Sequence, residues 1–217
     1  MFENKYGKFL TVILIIVIIA IVGLLGFLAY DYYQKYIITK DTSDFVDNFE
    51  GEIGGNNEDG TNQENGENPF DQVEDTQTNN KSGVKTYKGF VVMGTMEIPA
   101  TSFKYPVLEK VTKKSIEVAV AILYGAGLNQ PGNTVIIGHN YRNGLFFSNN
   151  KKLKVGDVLY ITDNDGKRLE YKIYNKFETT PEDTSFYTRD TDGKAEVTLS
   201  TCTDDSSARI IIEARAE

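Results

Sequence analysis

The feature that most constrains this chain is a run of 22 residues without a charge, from Phe9 to Tyr30. About 20 apolar residues in an α-helix cross the hydrocarbon core of a bilayer, so the run predicts a transmembrane helix. Lys5 and Lys8 precede the run and Asp31 follows it, which predicts a cytoplasmic N-terminus and an extracellular remainder. A cleaved signal peptide is the alternative, but its apolar region covers only about 7–15 residues and ends at a small-residue site. Because the sequence FLAYDYYQKY has no such site, we expect a retained signal anchor.

The segment from 41 to 80 contains twelve acidic residues and no Lys or Arg, with Asn, Gly, Gln and Thr between them. Low hydrophobicity combined with charge of one sign predicts disorder, because too little apolar surface can be buried to offset chain entropy. The D-x-[DN]-x-[DN]-G spacing of an EF-hand loop is absent from this segment. We therefore expect a self-repelling acidic linker, placed at 31–86, that holds a folded domain away from the membrane.

The rest of the chain has nearly balanced charge. The whole sequence carries a formal net charge of −8, yet residues 81–217 hold nineteen basic and seventeen acidic residues. Binding to nucleic acid requires a basic face for the phosphate backbone, and the sequence shows no basic patch. No nucleic-acid partner is expected.

Short runs rich in Val, Ile, Tyr, Phe and Thr begin near Tyr87 and continue to the C-terminus. Several runs alternate apolar with polar residues, and turn signals such as Asn164-Asp165-Gly166 separate them. Roughly 130 residues are enough for one domain, and many short strands predict an all-β sandwich or barrel with only short helices. The expected order is cytoplasmic N-terminus, transmembrane anchor, linker and all-β domain, at residues 1–8, 9–30, 31–86 and 87–217.

The chain contains a single Cys and a single His. One Cys excludes an internal disulfide, and one Cys with one His is too few for a four-ligand zinc site, so no metal site is expected. Both residues lie at predicted strand ends, since Cys202 closes the run TLSTC and His139 closes the run TVIIGH. Arg209 begins the last predicted strand, seven residues after Cys202.

These three residues form a candidate active site. A nucleophilic Cys reacts as its thiolate, which a neighbouring imidazole favours, and the permanent charge of a guanidinium suits a developing oxyanion. The alternative for each residue alone is structural, namely an inert buried thiol, a surface His and a surface Arg. Spacing in the sequence does not decide between these interpretations.

The motif around Cys202 resembles a known signature. The run Thr198-Leu199-Ser200-Thr201-Cys202 is similar to the T-L-x-T-C signature of the sortases, which are membrane-anchored cysteine transpeptidases of Gram-positive surfaces. Ile137-Gly138-His139 and Arg209 resemble the strand-end histidine and the arginine of that family, in the same order. The resemblance extends from about Tyr87 to the end of the chain. It implies a closed sortase-like β-barrel with short helices, preceded by one N-terminal transmembrane helix.

The resemblance implies a thiol-based transpeptidation that needs no cofactor. Cys202 would attack the Thr–Gly carbonyl of an LPXTG-like sorting signal, His139 would protonate the departing amine, and Arg209 would stabilise the oxyanion. The implied partners are surface proteins or pilins with sorting signals and an amine acceptor from the cell wall or a pilin. Some sortases respond to calcium through acidic residues, but the candidates here are typical of turns. They are Asp157, Asp163 and Asp165.

The subclass and the substrate site are less sharply defined by the resemblance. The stretch 138–153 resembles class B sortases, as does the run TLSTCT followed by Ala208-Arg209. The 17-residue connection between Glu178 and Glu196 is, however, too short for the class B helix. Class B or class D therefore stays open. The recognition loop is expected within residues 179–194. The expected substrate-binding residues are Asn140, Ser200, Thr201, Phe186 and Tyr187.

Three other functions are alternatives to a sortase that anchors proteins to the cell wall. A pilin-polymerising sortase would use a pilin Lys as its acceptor. A papain-like cysteine protease places its Cys early, on a helix and before its His, which is the reverse of the order here. A non-enzymatic anchored surface protein with a binding domain would bury Cys202, so thiol reactivity distinguishes it from an enzyme.

Overall fold

The computed structural model describes residues 5–54 and 84–217. Within these residues, one long helix is followed by nine strands and two short 3₁₀ helices. The helix and strands are α1 (Lys5–Gly54), β1 (Thr86–Tyr87), β2 (Phe90–Ile98), β3 (Phe103–Leu108), β4 (Val120–Tyr124), β5 (Gly132–Ile137), β6 (Val158–Asp163), β7 (Arg168–Thr179), β8 (Ala195–Cys202) and β9 (Arg209–Ala216). The 3₁₀ helices are Pro99–Thr101 and Phe147–Lys152. The chain forms two compact units, one up to Asp41 and one from Thr42 onward.

The first unit is the apolar part of α1. Every side chain from Phe9 to Tyr30 is exposed, and the mean hydropathy of the most apolar stretch is 3.4. A helix that is hydrophobic all round is unsuited to water. This helix is long and apolar enough to cross a membrane.

The predicted disordered linker is wrong for residues 31–54, which are helical. In the second unit, Thr42, Val46 and Phe49 are buried, with at most 2% of each residue exposed. Their spacing of three to four residues is that of one helix face, and this face packs on the barrel. Asp47, which lies between Val46 and Phe49, forms an ion pair with Lys104 of β3. The average composition of the segment therefore concealed the face that packs on the barrel. The remainder of the predicted linker, 55–83, lies outside the described residues.

The second unit contains a closed barrel of eight strands, with β1 as a two-residue addition that pairs with β2. The strand order around the barrel is β2-β3-β4-β5-β8-β9-β7-β6, and β6 pairs with β2 to close it. The β3–β4 and β5–β8 pairs are parallel, whereas the other pairs are antiparallel. The predicted turn Asn164-Asp165-Gly166 joins β6 to β7. The prediction of an all-β barrel with short helices is confirmed.

Aliphatic side chains from separate strands form the core of the barrel. Met96, Ile136, Leu159, Leu199 and Ile212 are fully buried. Burial of apolar surface stabilises a fold by about 25 cal/mol per Å², and close packing leaves little freedom for the strands to shift. The strand ends, where the candidate site lies, are therefore held in a fixed register.

Candidate active site

Adjacent strand ends bring the three candidate residues to one edge of the barrel. Cys202, the last residue of β8, lies directly opposite Arg209, the first residue of β9. Strand β5 runs parallel to β8 with Ile137 opposite Ser200, so His139 is level with Cys202. Opposite residues in an antiparallel pair have Cβ atoms about 4.5–5.5 Å apart. The thiol, imidazole and guanidinium therefore belong to neighbouring positions.

Hydrogen bonds between the ends of β5 and β8 hold this arrangement together. Thr201 donates from Oγ1 to the Gly138 carbonyl at 2.8 Å, and Asn140 donates from Nδ2 to the Cys202 carbonyl at 2.9 Å. Thr201 and Ser200 are both buried. The structure thus gives Thr201 and Asn140 a direct role in fixing the backbone around Cys202.

Gly138 precedes His139 at a position where no side chain fits. A Cβ built there would lie 2.7 Å from Cγ1 of Val120 and 2.9 Å from Cδ2 of Phe147, which is closer than packed carbon atoms approach. The backbone N–H of Phe147 also donates to the His139 carbonyl at 3.0 Å. Phe147 therefore fixes the chain at His139 through both packing and a hydrogen bond.

The His139 side chain lies against two residues that the sequence analysis did not identify. Its ring centroid is 4.8 Å from that of Tyr141, and its Nε2 lies 3.6 Å from Oε1 of Glu117. The Tyr141 hydroxyl donates to Oε2 of the same carboxylate. Burial, together with the charge and hydrogen bond of Glu117, raises the pKa of Tyr141 to about 12. No sequence signal indicated Glu117, because it lies 22 residues before His139 and precedes a different strand.

Arg209 presents unpaired donors next to the thiol. Its Nη1 donates to the Ala208 carbonyl at 3.1 Å, and no carboxylate among residues 5–54 and 84–217 forms an ion pair with it. Cys202 is a free, half-buried thiol. A guanidinium with free N–H groups at this position is suited to bind a carbonyl oxygen or an oxyanion.

The two acidic residues that follow Cys202 are engaged by other groups. The hydrogen bond and charge of Lys151 lower the pKa of Asp204. Hydrogen bonds within the β8–β9 loop, chiefly from Thr203, lower the pKa of Asp205 to about 2. Both side chains are therefore carboxylates at neutral pH. Lys151 and Asn140 donate to Asp204, and donors of the loop itself bind Asp205.

The loop between β7 and β8, residues 180–194, is the predicted recognition loop, and apolar packing, ion pairs and hydrogen bonds hold it on the barrel. Phe186 is buried and packs against Val135 and Ile211. Arg189 forms an ion pair from Nε to Glu196, whose side chain is fully buried. Phe186 is therefore a packing residue that holds the loop in place.

A cleft of about 450 Å³ lies beside this loop, at the end of β5 that is remote from His139. Tyr187 packs on Tyr124 there, with ring centroids 5.5 Å apart. The residues that line the cleft are Tyr124, Gly125, Ala126, Gly132, Asn133, Tyr187, Thr188 and Arg189. Along an extended strand, Gly132 and His139 are about 20 Å apart, so the cleft is separate from the strand-end site.

Two of the three acidic residues considered for calcium accept backbone hydrogen bonds in turns. Asp163 accepts hydrogen bonds from the N–H groups of Asp165 and Lys167 in the β6–β7 turn, and Asp157 accepts from the N–H of Lys154. In the part of the chain that the structure describes, no group of three His, Cys, Asp or Glu residues could hold a metal ion.

Comparison with known proteins gives similarities that span this barrel. The family model "Sortase domain" matches residues 96–217, more than half of the chain. Sortase A of Bacillus anthracis is 33% identical over 124 residues, which cover 56% of this chain and 58% of that protein. The alignment thus spans less than two thirds of that relative.

Two solved structures from Clostridium perfringens are similar in fold. A sortase D5 transpeptidase has a TM-score of 0.53 and 27% identity, covering 58% of this chain and 79% of its own. A sortase C with the C-terminal cell wall sorting motif has a TM-score of 0.52 and 26% identity, covering 58% and 70%. The similar proteins carry the class names A, C and D. The family model covers the strand ends that carry His139, Cys202 and Arg209. The chain belongs to the sortase family.

Proposed function

We propose that this chain is a membrane-anchored sortase that cleaves an LPXTG-like sorting signal between Thr and Gly and transfers the Thr carbonyl to an amine of the cell wall. The observation that carries the proposal is the strand register, which sets Cys202 opposite Arg209 and level with His139. Membership of the family supports the reaction type. The Clostridium perfringens sortase C solved with a cell wall sorting motif supports the class of substrate.

In the first half of the reaction, the Cys202 thiolate attacks the Thr carbonyl carbon and forms a tetrahedral oxyanion. The free N–H groups of Arg209 stabilise this oxyanion. Protonated His139 donates its proton to the Gly nitrogen as the Thr–Gly bond breaks. The products are a thioester on Cys202, a free Gly amine and a neutral imidazole.

In the second half, an acceptor amine attacks the thioester carbonyl. Neutral His139 accepts the proton that this amine loses, and Arg209 again stabilises the oxyanion. Collapse of the intermediate forms the new amide bond and releases the Cys202 thiolate. The thiolate–imidazolium pair is thereby restored, so atoms and charges balance over the cycle.

The N-terminal helix supports attachment to a membrane. Its most apolar stretch has a mean hydropathy of 3.4, and Lys5 and Lys8 precede the uncharged run. Positive residues at one end of a span favour a cytoplasmic location of that end. The barrel would then face the outside, where surface proteins or pilins with sorting signals and the cell wall acceptor are found.

The predicted substrate-binding residues differ in accessibility. Ser200, Thr201 and Phe186 are buried, so we propose that they shape the floor of the substrate site and support its loop. Asn140 and Tyr187 are only partly buried. Asn140 lies beside Cys202, and we propose that it contacts substrate near the scissile bond. Tyr187 lines the separate cleft at the other end of β5, so any contact it makes is with a part of the substrate remote from that bond.

The experiment that tests the proposal measures cleavage of a fluorescent LPXTG peptide by the detergent-solubilised full chain, with and without an amine acceptor. The wild type should form the amide product only when the amine is present, and release of the free acid alone would indicate a hydrolase. Cys202→Ala should abolish both products. Turnover by this variant at more than a trace of the wild-type rate would remove Cys202 as the nucleophile.

A conservative pair of variants tests the guanidinium. Arg209→Lys keeps the positive charge but loses the planar fork of donors, so kcat should fall severely, by about 10²-fold if the fork binds the oxyanion. Arg142→Lys is the matched control, because Arg142 is exposed and its side chain donates a hydrogen bond to the Ser206 hydroxyl. Equal rates for the two variants would reduce Arg209 to a surface charge.

A further inference from the structure

A carboxylate and a phenol enclose one side of the His139 imidazole. Nε2 of His139 lies 3.6 Å from Oε1 of Glu117 and has no hydrogen-bond partner among the described residues, although the atom is buried. The ring of Tyr141 packs on the imidazole at 4.8 Å, tilted by 31°. The Tyr141 hydroxyl holds Oε2 of Glu117. The other carboxylate oxygen is thus directed towards an imidazole nitrogen that lacks a partner.

The turn that carries Glu117 is itself rigid. In the connection between β3 and β4, the backbone N–H of Thr112 donates to Oγ of Ser115 at 2.7 Å, and the N–H of Ser115 donates to Oγ1 of Thr112 at 2.9 Å. Ser115 is 1% exposed and its hydroxyl also donates to the Lys110 carbonyl. Glu117 therefore approaches His139 from a turn whose backbone is fixed by reciprocal hydrogen bonds.

We propose that Glu117, held by Tyr141, is a positioning residue that orients the His139 imidazole and stabilises its protonated form. The inference rests on the proposed function, in which His139 must carry a proton before the Thr–Gly bond breaks. A nitrogen that donates to a carboxylate is fixed in one tautomer and one ring orientation. A shift of less than 1 Å closes the 3.6 Å gap to an ordinary N–H···O bond.

The titratable and charged groups near His139 come from four elements. Glu117 approaches from the turn before β4 and Tyr141 from the loop after β5. Cys202 and Arg209 occupy the neighbouring strand ends of β8 and β9. Glu117 is the one described carboxylate within ion-pair distance of the imidazole. It is half exposed, so solvent screening keeps the electrostatic effect modest and orientation is its main role.

The kinetic test compares variants of the full chain in detergent. Glu117→Gln should lower kcat about tenfold, while KM stays within about twofold. General acid–base catalysis contributes about 10²–10⁴-fold, and the loss of a positioning residue should remove only a part of that. Glu117→Asp keeps the charge and should recover at least half of the loss. Tyr141→Phe frees the carboxylate and should lower kcat about threefold. Glu109→Gln is the matched control, because Glu109 is an exposed residue of the same β3–β4 connection, and it should retain wild-type kcat.

A second readout is independent of turnover. His139 is the only histidine, so ¹⁵N-histidine labelling gives one pair of imidazole nitrogen signals. In the wild type, Nε2 should carry the proton in the neutral ring, and Glu117→Gln should give a mixture of tautomers. Identical nitrogen signals in the wild type and Glu117→Gln would overturn the inference, whether or not the wild type turns over the peptide. Conversely, the expected tautomer change in a protein without turnover would leave Glu117 as the partner of His139 and refute the proposed function alone.

Discussion

Replacing Phe49 with Ala tests whether residues 42–54 belong to the folded domain. The ring is 2% exposed and lies 4.3 Å from the ammonium group of Lys85. It shares a core cluster with Tyr87 and Leu108. Ala has the highest helix propensity, so the substitution removes the contact with the barrel without weakening the helix itself.

The size of the effect follows from the buried area. A buried Phe removes about 150–250 Å² from water, which at about 25 cal/mol per Å² gives about 4–6 kcal/mol as an upper bound. Measured core Phe-to-Ala changes cost about 3–5 kcal/mol. The lower end applies here because a single docked helix relaxes more easily than the barrel interior. We expect a loss of about 3 kcal/mol, or a fall in Tm of about 6–12 °C.

The assay is thermal unfolding of the full chain in detergent, followed by near-ultraviolet circular dichroism of the tyrosines. This signal reports tertiary packing and excludes the far-ultraviolet signal of the apolar helix. Hydrogen exchange of residues 42–54 should also become faster in Phe49→Ala. The control is Asn48→Ala, an exposed position in the same segment, which should change stability by less than about 0.5 kcal/mol. Equal Tm values for the two variants would refute the docking and restore the linker interpretation.

Three further predictions concern the strand ends and the recognition loop. Gly138→Ala should lower kcat without loss of the fold, because its Cβ would displace Phe147 and the adjoining histidine; unchanged kinetics would contradict the tight packing. Thr201→Val should reduce the free energy of unfolding in urea by about 1–3 kcal/mol, since it leaves the Gly138 carbonyl unpaired. Burial by itself would raise the pKa of Glu196. The hydrogen bonds that Glu196 accepts, first of all from Arg215, have the larger effect and lower its pKa below the ordinary value of 4.5. The stability that this carboxylate contributes is complete above pH 4.5 and is lost as pH falls through the lowered value. The difference in unfolding free energy between wild type and Glu196→Gln should therefore shrink on acidification, and a constant difference would contradict this linkage.

The barrel and the strand-end site were predictable from local patterns. Runs of β-branched and aromatic residues, with turns such as Asn164-Asp165-Gly166, indicate strands directly. Cys202, His139 and Arg209 each lie where such a run begins or ends, and the pairing of β5, β8 and β9 brings those ends together. The resemblance of the TLSTC run to sortases is confirmed by the family match.

Two features were not predictable, for different physical reasons. The docked part of α1 is short and acidic, so its average composition is that of a disordered segment although Val46 and Phe49 form a buried face. The contact between Glu117 and His139 depends on how the β3–β4 connection meets the loop after β5. Such a contact is created by tertiary packing and leaves no pattern along the chain.

The thioester on Cys202 is the central claim, and intact-protein mass spectrometry tests it most directly. The full chain is incubated with an LPXTG peptide in the absence of an amine acceptor and is quenched with acid. We predict a mass increase equal to the peptide up to its Thr, which disappears when hydroxylamine is added and is absent in Cys202→Ala. An unmodified wild-type protein after peptide cleavage, or the same adduct on Cys202→Ala, would contradict the account.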